Sequence, residues 1–230
     1  MSSVRGLLEK EREAERQFVA RAQAQNDEPK GWPAALIMFH IAQWRERLRK
    51  AFDDVRGGRP DTPPPSNIDE FNDSELPNGA GLPLDATAAR ADAELASLIE
   101  LAEVIGERPF AWSVTKTSTE ALLRNSYIHP RNHMSEYLSE NGDESGAHKL
   151  MEEAAHDLRG MAAPHFILGA ALVNLAGKRV EQGRLDEALD LLAEGLTMRP
   201  DLASIAANHP HFSALRGLDR FRSIVGGSLA

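Results

Sequence analysis

Apolar residues in this chain recur at every third or fourth position, and no stretch alternates apolar and polar residues for long enough to predict a strand. That spacing restricts the fold to helices whose apolar stripes pack on one another. Over residues 34–56 the stripe is Ile37, Ile41, Trp44, Leu48, Phe52 and Val55, with Arg45, Arg47, Arg49 and Lys50 mostly off it. Residues 5–24 predict a charged helix with a thin stripe of Leu8, Phe18 and Val19. Residues 85–105 repeat the pattern through Leu95, Leu98, Ile99, Ala102 and Ile105, and Asp85 or Thr87 is placed to cap the start. Residues 117–138 are a fourth helical stretch.

Glycine and proline mark the breaks. Six of the thirteen prolines fall between Gly57 and Pro83. Each lacks a backbone donor, so this segment reads as a long connection without regular structure, save a turn near Ile68 to Phe71. A second break is read at 140–146, where Gly142 and Gly146 fit a helix end and a linker. The expected fold is therefore all-α: an up-down four-helix bundle with a long crossover loop over residues 1–142, then a helical domain over 147–230.

Residues 168–201 carry Leu172, Leu175, Ala176, Gly183, Ala188, Leu192, Gly195 and Pro200. These sit at the offsets of a tetratricopeptide repeat, a helix pair of about 34 residues. Gly183 falls at the turn, Ala176, Ala188 and Gly195 allow close approach, and Pro200 ends the second helix; Arg179 departs from the usual aromatic. The segment resembles one such repeat. A lone repeat must be covered by its flanks, here through Leu202, Ile205, Phe212, Leu215, Phe221 and Ile224. It reads as a cap or as a peptide groove, and the small concave surface of one repeat favours the cap.

Charge and composition exclude several classes. The net charge is −9, from 35 acidic and 26 basic residues, and residues 1–148 carry −8 of it. Binding to nucleic acid along the whole chain is not expected, because that affinity comes from Lys and Arg neutralising phosphate. With no cysteine there is no disulfide, thiolate ligand or cysteine nucleophile. Phosphate-cradling glycine loops and serine-hydrolase elbows are missing from the sequence. Carboxylates are many, but none is set apart by an apolar neighbourhood in the sequence. Residues 1–10 lack the apolar core of a secretory signal. The most apolar stretch, 160–177, is broken by Pro164, His165 and Asn174, and is short of the ~20 residues a bilayer span needs. It reads as a buried helix, and the expected compartment is the cytoplasm, with no membrane partner.

The chemistry lies in histidines. His129 and His133 are four apart, on a face continued by Leu122, Ser126 and Tyr137. On a helix that spacing stacks two imidazoles one turn apart, able to share a metal ion. Pro130 works against a regular helix at His129 and frees the Ser126 carbonyl, so the stretch is either a kinked helix or a new helix starting at Pro130. His40 lies at the edge of the second stripe and by itself reads as a core histidine. His148, His156, His165, His209 and His211 lie in the C-terminal part, and no second metal site is expected there.

The order of these features adds a reading. Gly31-Trp32 precedes the second helix, which carries His40, Ala42 and Trp44; a loop with Ile68-Asp69-Glu70-Phe71-Asn72 follows, and later His129, His133 and Glu136. Residues 5–142 thereby resemble the DinB-like superfamily of metal-binding four-helix bundles. The resemblance implies a divalent metal held by His40, His129 and His133. Zinc and nickel are the expected ions, since imidazole suits both. Asn125, Ser126, Asn132 and Tyr137 are candidates for the surrounding shell, with Asp69 and Asn72 at the mouth. Characterised relatives include thiol-dependent isomerases and S-transferases, so a low-molecular-weight thiol is an implied co-substrate. Three functions stand open: a metal-dependent transferase, isomerase or hydrolase acting on a small molecule; a non-catalytic protein sequestering a reactive metabolite; and an adaptor that binds a protein partner through the C-terminal tetratricopeptide-like repeat, with a vestigial metal site. A protein partner or self-association through the helical surfaces is also open.

Overall fold

Helix fills the stretches that the three-to-four spacing marks out, and two segments depart from it. A computed structural model describes residues 2–25, 28–60 and 63–227. The chain divides into two compact units, Met1–Asp143 and Glu144–Ala230.

The first unit holds α1 (Ser2–Ala24), α2 (Ala34–Arg56), α3 (Ile68–Glu75), α4 (Leu84–Ile105), α5 (Ser118–Leu123) and α6 (His129–Glu140). α2 packs along α4, α1 rests on α4, and the segment from α5 to α6 closes against α1, α2 and α4. Leu8, Ile41, Leu48, Phe52, Leu95, Leu98 and Leu122 are buried where these faces meet. Removing such stripes from water drives the packing, at about 1.5–3 kcal/mol per large apolar side chain.

The thin stripe of α1 is completed by carboxylates. Glu11 and Glu15 are buried and share a face with Leu8 and Phe18. Glu11 accepts a 2.6 Å hydrogen bond from Arg131 Nε, and Glu15 accepts one of 2.9 Å from Arg45 Nη1. Both arginines are buried. This corrects the reading of Arg45 as off the core stripe, and it buries two carboxylates that no apolar neighbourhood in the sequence marks out. Such charges go inside only in pairs, because an unpaired buried ion costs several kcal/mol (about 3–5).

The proline-rich connection is more ordered than the sequence predicts. Asn67 caps α3 by accepting the Glu70 amide at 3.2 Å, and a 3₁₀ turn continues through Leu76–Gly79. α3 is fastened to α2 by Trp44 Nε1 donating to Asn72 Oδ1 at 3.2 Å, by Gln43 donating to Glu75 at 2.8 Å, and by Arg47 lying 4.4 Å over the Phe71 ring. The second departure is a short antiparallel hairpin, β1 (Pro109–Trp112) with β2 (Thr115–Thr117). Its buried aromatic residues, Phe110 and Trp112, pack beside Phe52 and Trp44 at ring distances of 5.2 and 6.1 Å. Every other regular element among the described residues is helical. Neither Asp85 nor Thr87 caps α4, which starts after Pro83; Thr87 Oγ1 donates back to the Leu84 carbonyl at 3.1 Å.

The second unit contains α7 (Glu144–Gly160), α8 (His165–Glu181), α9 (Leu185–Met198), α10 (Ala203–Asn208) and α11 (Asp219–Gly227). The break read at 140–146 is thus only three residues long, and Gly146 is buried within α7. α8 packs on both α7 and α9. Gly183, at φ +71°, makes the turn between α8 and α9. A Cβ on Gly195 would lie 3.0 Å from the Gly169 carbonyl oxygen, so these backbones meet where no side chain intervenes. Phe212, Leu215, Phe221 and Val225 cover the apolar face that Ala188, Leu192 and Leu196 of α9 present. No helix among the described residues is long and apolar enough to cross a membrane.

Candidate metal centre

Two elements supply the three histidines. α2 carries His40 near its middle, and the segment from α5 to α6 carries His129 and His133. Between α5 and α6 the backbone widens into a π-helical turn, Arg124–Ile128, in which the His129 amide bonds to the Arg124 carbonyl five residues back. Pro130 then enters α6 without breaking the helix, and His129 keeps helical angles of φ −59° and ψ −48°. Of the two geometries left open by the sequence, a new helix at Pro130 is the nearer: α6 starts at His129 with Pro130 in its first turn, and the π-helical turn joins it to α5. Such bulges accommodate a residue that a regular turn would exclude. The Ser126 carbonyl, which Pro130 cannot serve as a donor four residues on, accepts from Arg45 Nη2 at 3.3 Å.

The imidazoles converge through their Nε2 atoms. His40 Nε2 and His129 Nε2 are 3.1 Å apart, and His133 Nε2 and His129 Nε2 are 3.0 Å apart. All three lie within 4.8 Å of one another. His40 is buried, while His129 and His133 are half-buried. The Trp32 ring stacks on His133 at 5.5 Å and meets His40 edge-on at 5.4 Å. Trp44 stands edge-on to both His40 and His129 at 6.4 Å.

Two of the rings, His40 and His129, are held neutral. Burial pushes the His40 imidazole down to about 3, with the neighbouring His133 adding to the effect. His129 is also pushed well below its ordinary value, first by burial, then by His133, His40, Arg124 and Arg45. Neutral imidazole is the form that binds a metal.

The donor set fits a divalent ion better than it fits hydrogen bonding alone. Each Nε2 has a single in-plane valence, either a lone pair or an N–H, so His129 cannot satisfy both neighbours with one proton. An ion with ~2.0–2.1 Å Zn–N bonds uses all three lone pairs, which then lie about 3.3 Å apart. The observed 3.0 and 3.1 Å are a few tenths shorter. His133 Nδ1 lies 3.5 Å from Glu136 Oε2, a contact that favours the proton on Nδ1 and leaves Nε2 free for a metal. Nδ1 of His40 and Nδ1 of His129 are buried and meet no protein acceptor.

No protein-family model, no curated protein and no solved structure matches this chain. The functional reading therefore rests on the geometry and on the residues themselves.

A cavity of about 260 Å³ opens beside the imidazoles, with Trp32, Trp44, Ile68 and Ile128 as its apolar walls. Asn72, Asn125 and Asn132 line it, as the sequence suggested; Asp69 does not. Asn125 Nδ2 donates to the Ala121 carbonyl at 2.8 Å. Ser126 Oγ is buried with no hydrogen-bond partner and does not line the cavity. The Tyr137 hydroxyl donates to Gln25 Oε1 at 2.9 Å, in a neighbouring hollow formed with Glu136 and Glu140. The sequence reading missed Arg124, which lines the cavity. On a regular helix a residue five before His129 points about 140° away. The π-helical turn brings it back, and helical periodicity carries no signal for that.

The C-terminal unit holds a second cluster, Glu144, His148 and Glu181. His148 Nε2 lies 3.8 and 3.7 Å from the two carboxylates. Lys178 Nζ already sits 2.9 Å from Glu181 Oε2, so an ammonium occupies the position a cation would take.

Proposed function

We propose that residues 1–142 form a DinB-like four-helix bundle that binds one divalent metal, zinc or nickel, through Nε2 of His40, His129 and His133, and that the protein is a metal-dependent transferase, isomerase or hydrolase acting on a small molecule. The observation that carries the reading is the convergence of three imidazole Nε2 atoms at the wall of a 260 Å³ cavity. Three protein ligands leave a coordination position open, as catalytic rather than structural sites do. When bound, the ion would polarise a carbonyl or lower the pKa of a water or thiol. The chain's own residues do the rest. Trp32 and Trp44 exclude water from the ring nitrogens, Glu136 holds the proton of His133 on Nδ1, and the asparagine amides offer hydrogen bonds to a ligand. With no cysteine in the chain, a thiol co-substrate comes from solution.

In this reading the C-terminal unit is a tetratricopeptide-like helix pair with its cover. Gly183 at the turn and the Gly169–Gly195 approach support it.

Equilibrium dialysis of protein purified without a histidine tag tests the metal. One zinc or nickel per chain is expected, and His133→Ala abolishes stoichiometric uptake while the helical circular dichroism is kept. Wild-type uptake that His133→Ala leaves unchanged would rule this site out.

A further inference from the structure

We infer that this cavity selects small uncharged carboxamides, whose N–H group donates to Asn125 Oδ1 beside the imidazoles. The inference rests on the cavity proposed above as the reaction site and names the class of substrate it takes.

Asn125 is an amide used at one end only. It lies in the π-helical turn, is 3% exposed and lines the cavity. Its Nδ2 donates at 2.8 Å to the Ala121 carbonyl, one turn back. A carbonyl only accepts, so this bond fixes which end of the amide is nitrogen and leaves Oδ1 as an acceptor. No protein donor among the described residues serves Oδ1, and, unlike Ser126 Oγ, it is not sealed from solvent. An acceptor held this way in a cavity wall costs stability until a donor from outside the protein meets it.

Asn72 supplies the complementary group. Its Oδ1 accepts from Trp44 Nε1 at 3.2 Å, and an indole nitrogen only donates, so Nδ2 is the end left for a ligand. The two asparagines lie on separate elements, α3 and the π-helical turn. An acceptor and a donor on different walls suit a ligand with N–H and C=O on separate atoms, as in a carboxamide; a hydroxyl has one oxygen for both. No carboxylate lines the cavity among the described residues, so an ammonium meets no counter-charge. A carboxylate would set its lone pairs against those of Asn125 Oδ1. The walls are indole and aliphatic, and at about 260 Å³ the space lies at the small end of ligand cavities, so the rest of the ligand is compact and apolar.

Isothermal titration of the metal-free protein with benzamide and with acetophenone, in which a methyl replaces the amide NH₂, tests this. Benzamide should bind at least about fivefold tighter, the low end of the cost of leaving a buried acceptor unmet. Asn125→Leu should remove that preference, and Asn125→Asp, which keeps an acceptor at the same place, should retain it, with thermal melting as the folding control. The comparison of the two ligands on wild-type protein stands even where a variant does not fold. Benzoate, which a guanidinium in the same lining would favour, and benzyl alcohol are the competing ligands. Equal binding of benzamide and acetophenone, no binding of either, tighter binding of benzoate or benzyl alcohol than of benzamide, or a preference that survives Asn125→Leu would each overturn the inference. Zinc uptake by the same samples keeps the two claims apart. Discrimination without zinc binding removes the metal reading alone, and zinc binding without discrimination removes only the carboxamide.

Discussion

The Arg45 guanidinium donates at 3.3 Å to the Ser126 carbonyl, the acceptor that Pro130 deprives of its helical partner. The same guanidinium donates at 3.1 Å to the Ala91 carbonyl and is paired with Glu15. One buried side chain on α2 thus ties α1 and α4 to the π-helical turn that aims His129. A buried carbonyl left unpaired costs about 1–3 kcal/mol, so the arginine makes the widened turn tolerable.

Removing Arg45 therefore has a defined consequence. Arg45→Met leaves Glu15 charged and buried, and should destabilise the fold by about 3–5 kcal/mol in urea unfolding. The double variant Arg45→Met, Glu15→Met should recover most of the loss, because apolar packing can replace a buried pair. Zinc affinity should stay reduced in the double variant, since the Ser126 carbonyl is still unsupported. A single variant that costs under about 1 kcal/mol would show that the pair does not hold the helices together.

Acid should destabilise the metal-free protein through His40. The folded ring titrates near 3, while the unfolded ring takes a proton near 6.5. Below pH 6.5 the unfolded chain binds the proton and the folded one does not. This contribution is complete above pH 6.5 and is lost as pH falls toward 3. Glu11 has the opposite sign. Burial pushes its carboxyl up from 4.5 to about 7 against the pull of Arg131, so its contribution is lost as pH rises from 4.5 to 7. The stability difference between wild type and His40→Asn should rise with pH between 4 and 6.5. The difference against Glu11→Gln should fall between 4.5 and 7. A flat His40 profile would mean that the folded ring accepts a proton as readily as the unfolded one.

Helix was legible in the sequence wherever an apolar stripe recurred, as in Ile37, Ile41, Trp44, Leu48 and Phe52. The candidate histidines were legible because His129 and His133 are local neighbours. What escaped depends on partners far along the chain. Glu11 meets Arg131 across 120 positions and Glu15 meets Arg45 across 30, so α1 looked thin when its core face was in fact filled. Phe110 and Trp112 alternate with their neighbours for only four residues, too few to register as a strand. α3 has no buried residue, and its helix rests on the Asn67 cap and on contacts to Trp44, Gln43 and Arg47. Arg124 reaches the cavity only because one turn is five residues wide.

The close approach of α8 and α9 gives a contrast between glycines. A Cβ at Gly169 would lie 2.8 Å from Arg199 Cγ and 2.9 Å from the Gly195 carbonyl oxygen. Gly169→Ala should cost about 1–3 kcal/mol by forcing the helices apart. Gly6, within α1, has nothing within 4 Å of the same position. Gly6→Ala should instead stabilise by about 0.5–1 kcal/mol, the helix preference of alanine over glycine. Thermal melts of the two variants moving in the same direction would contradict the close approach.

The metal site is tested most directly by crystals grown with zinc and measured on both sides of the zinc absorption edge. An anomalous difference peak is predicted between His40, His129 and His133, about 2.0–2.1 Å from each Nε2. Only that position uses the three lone pairs that face one another 3.0 and 3.1 Å apart. No peak there at saturating zinc, or a sole peak at Glu144, His148 and Glu181, would contradict the account.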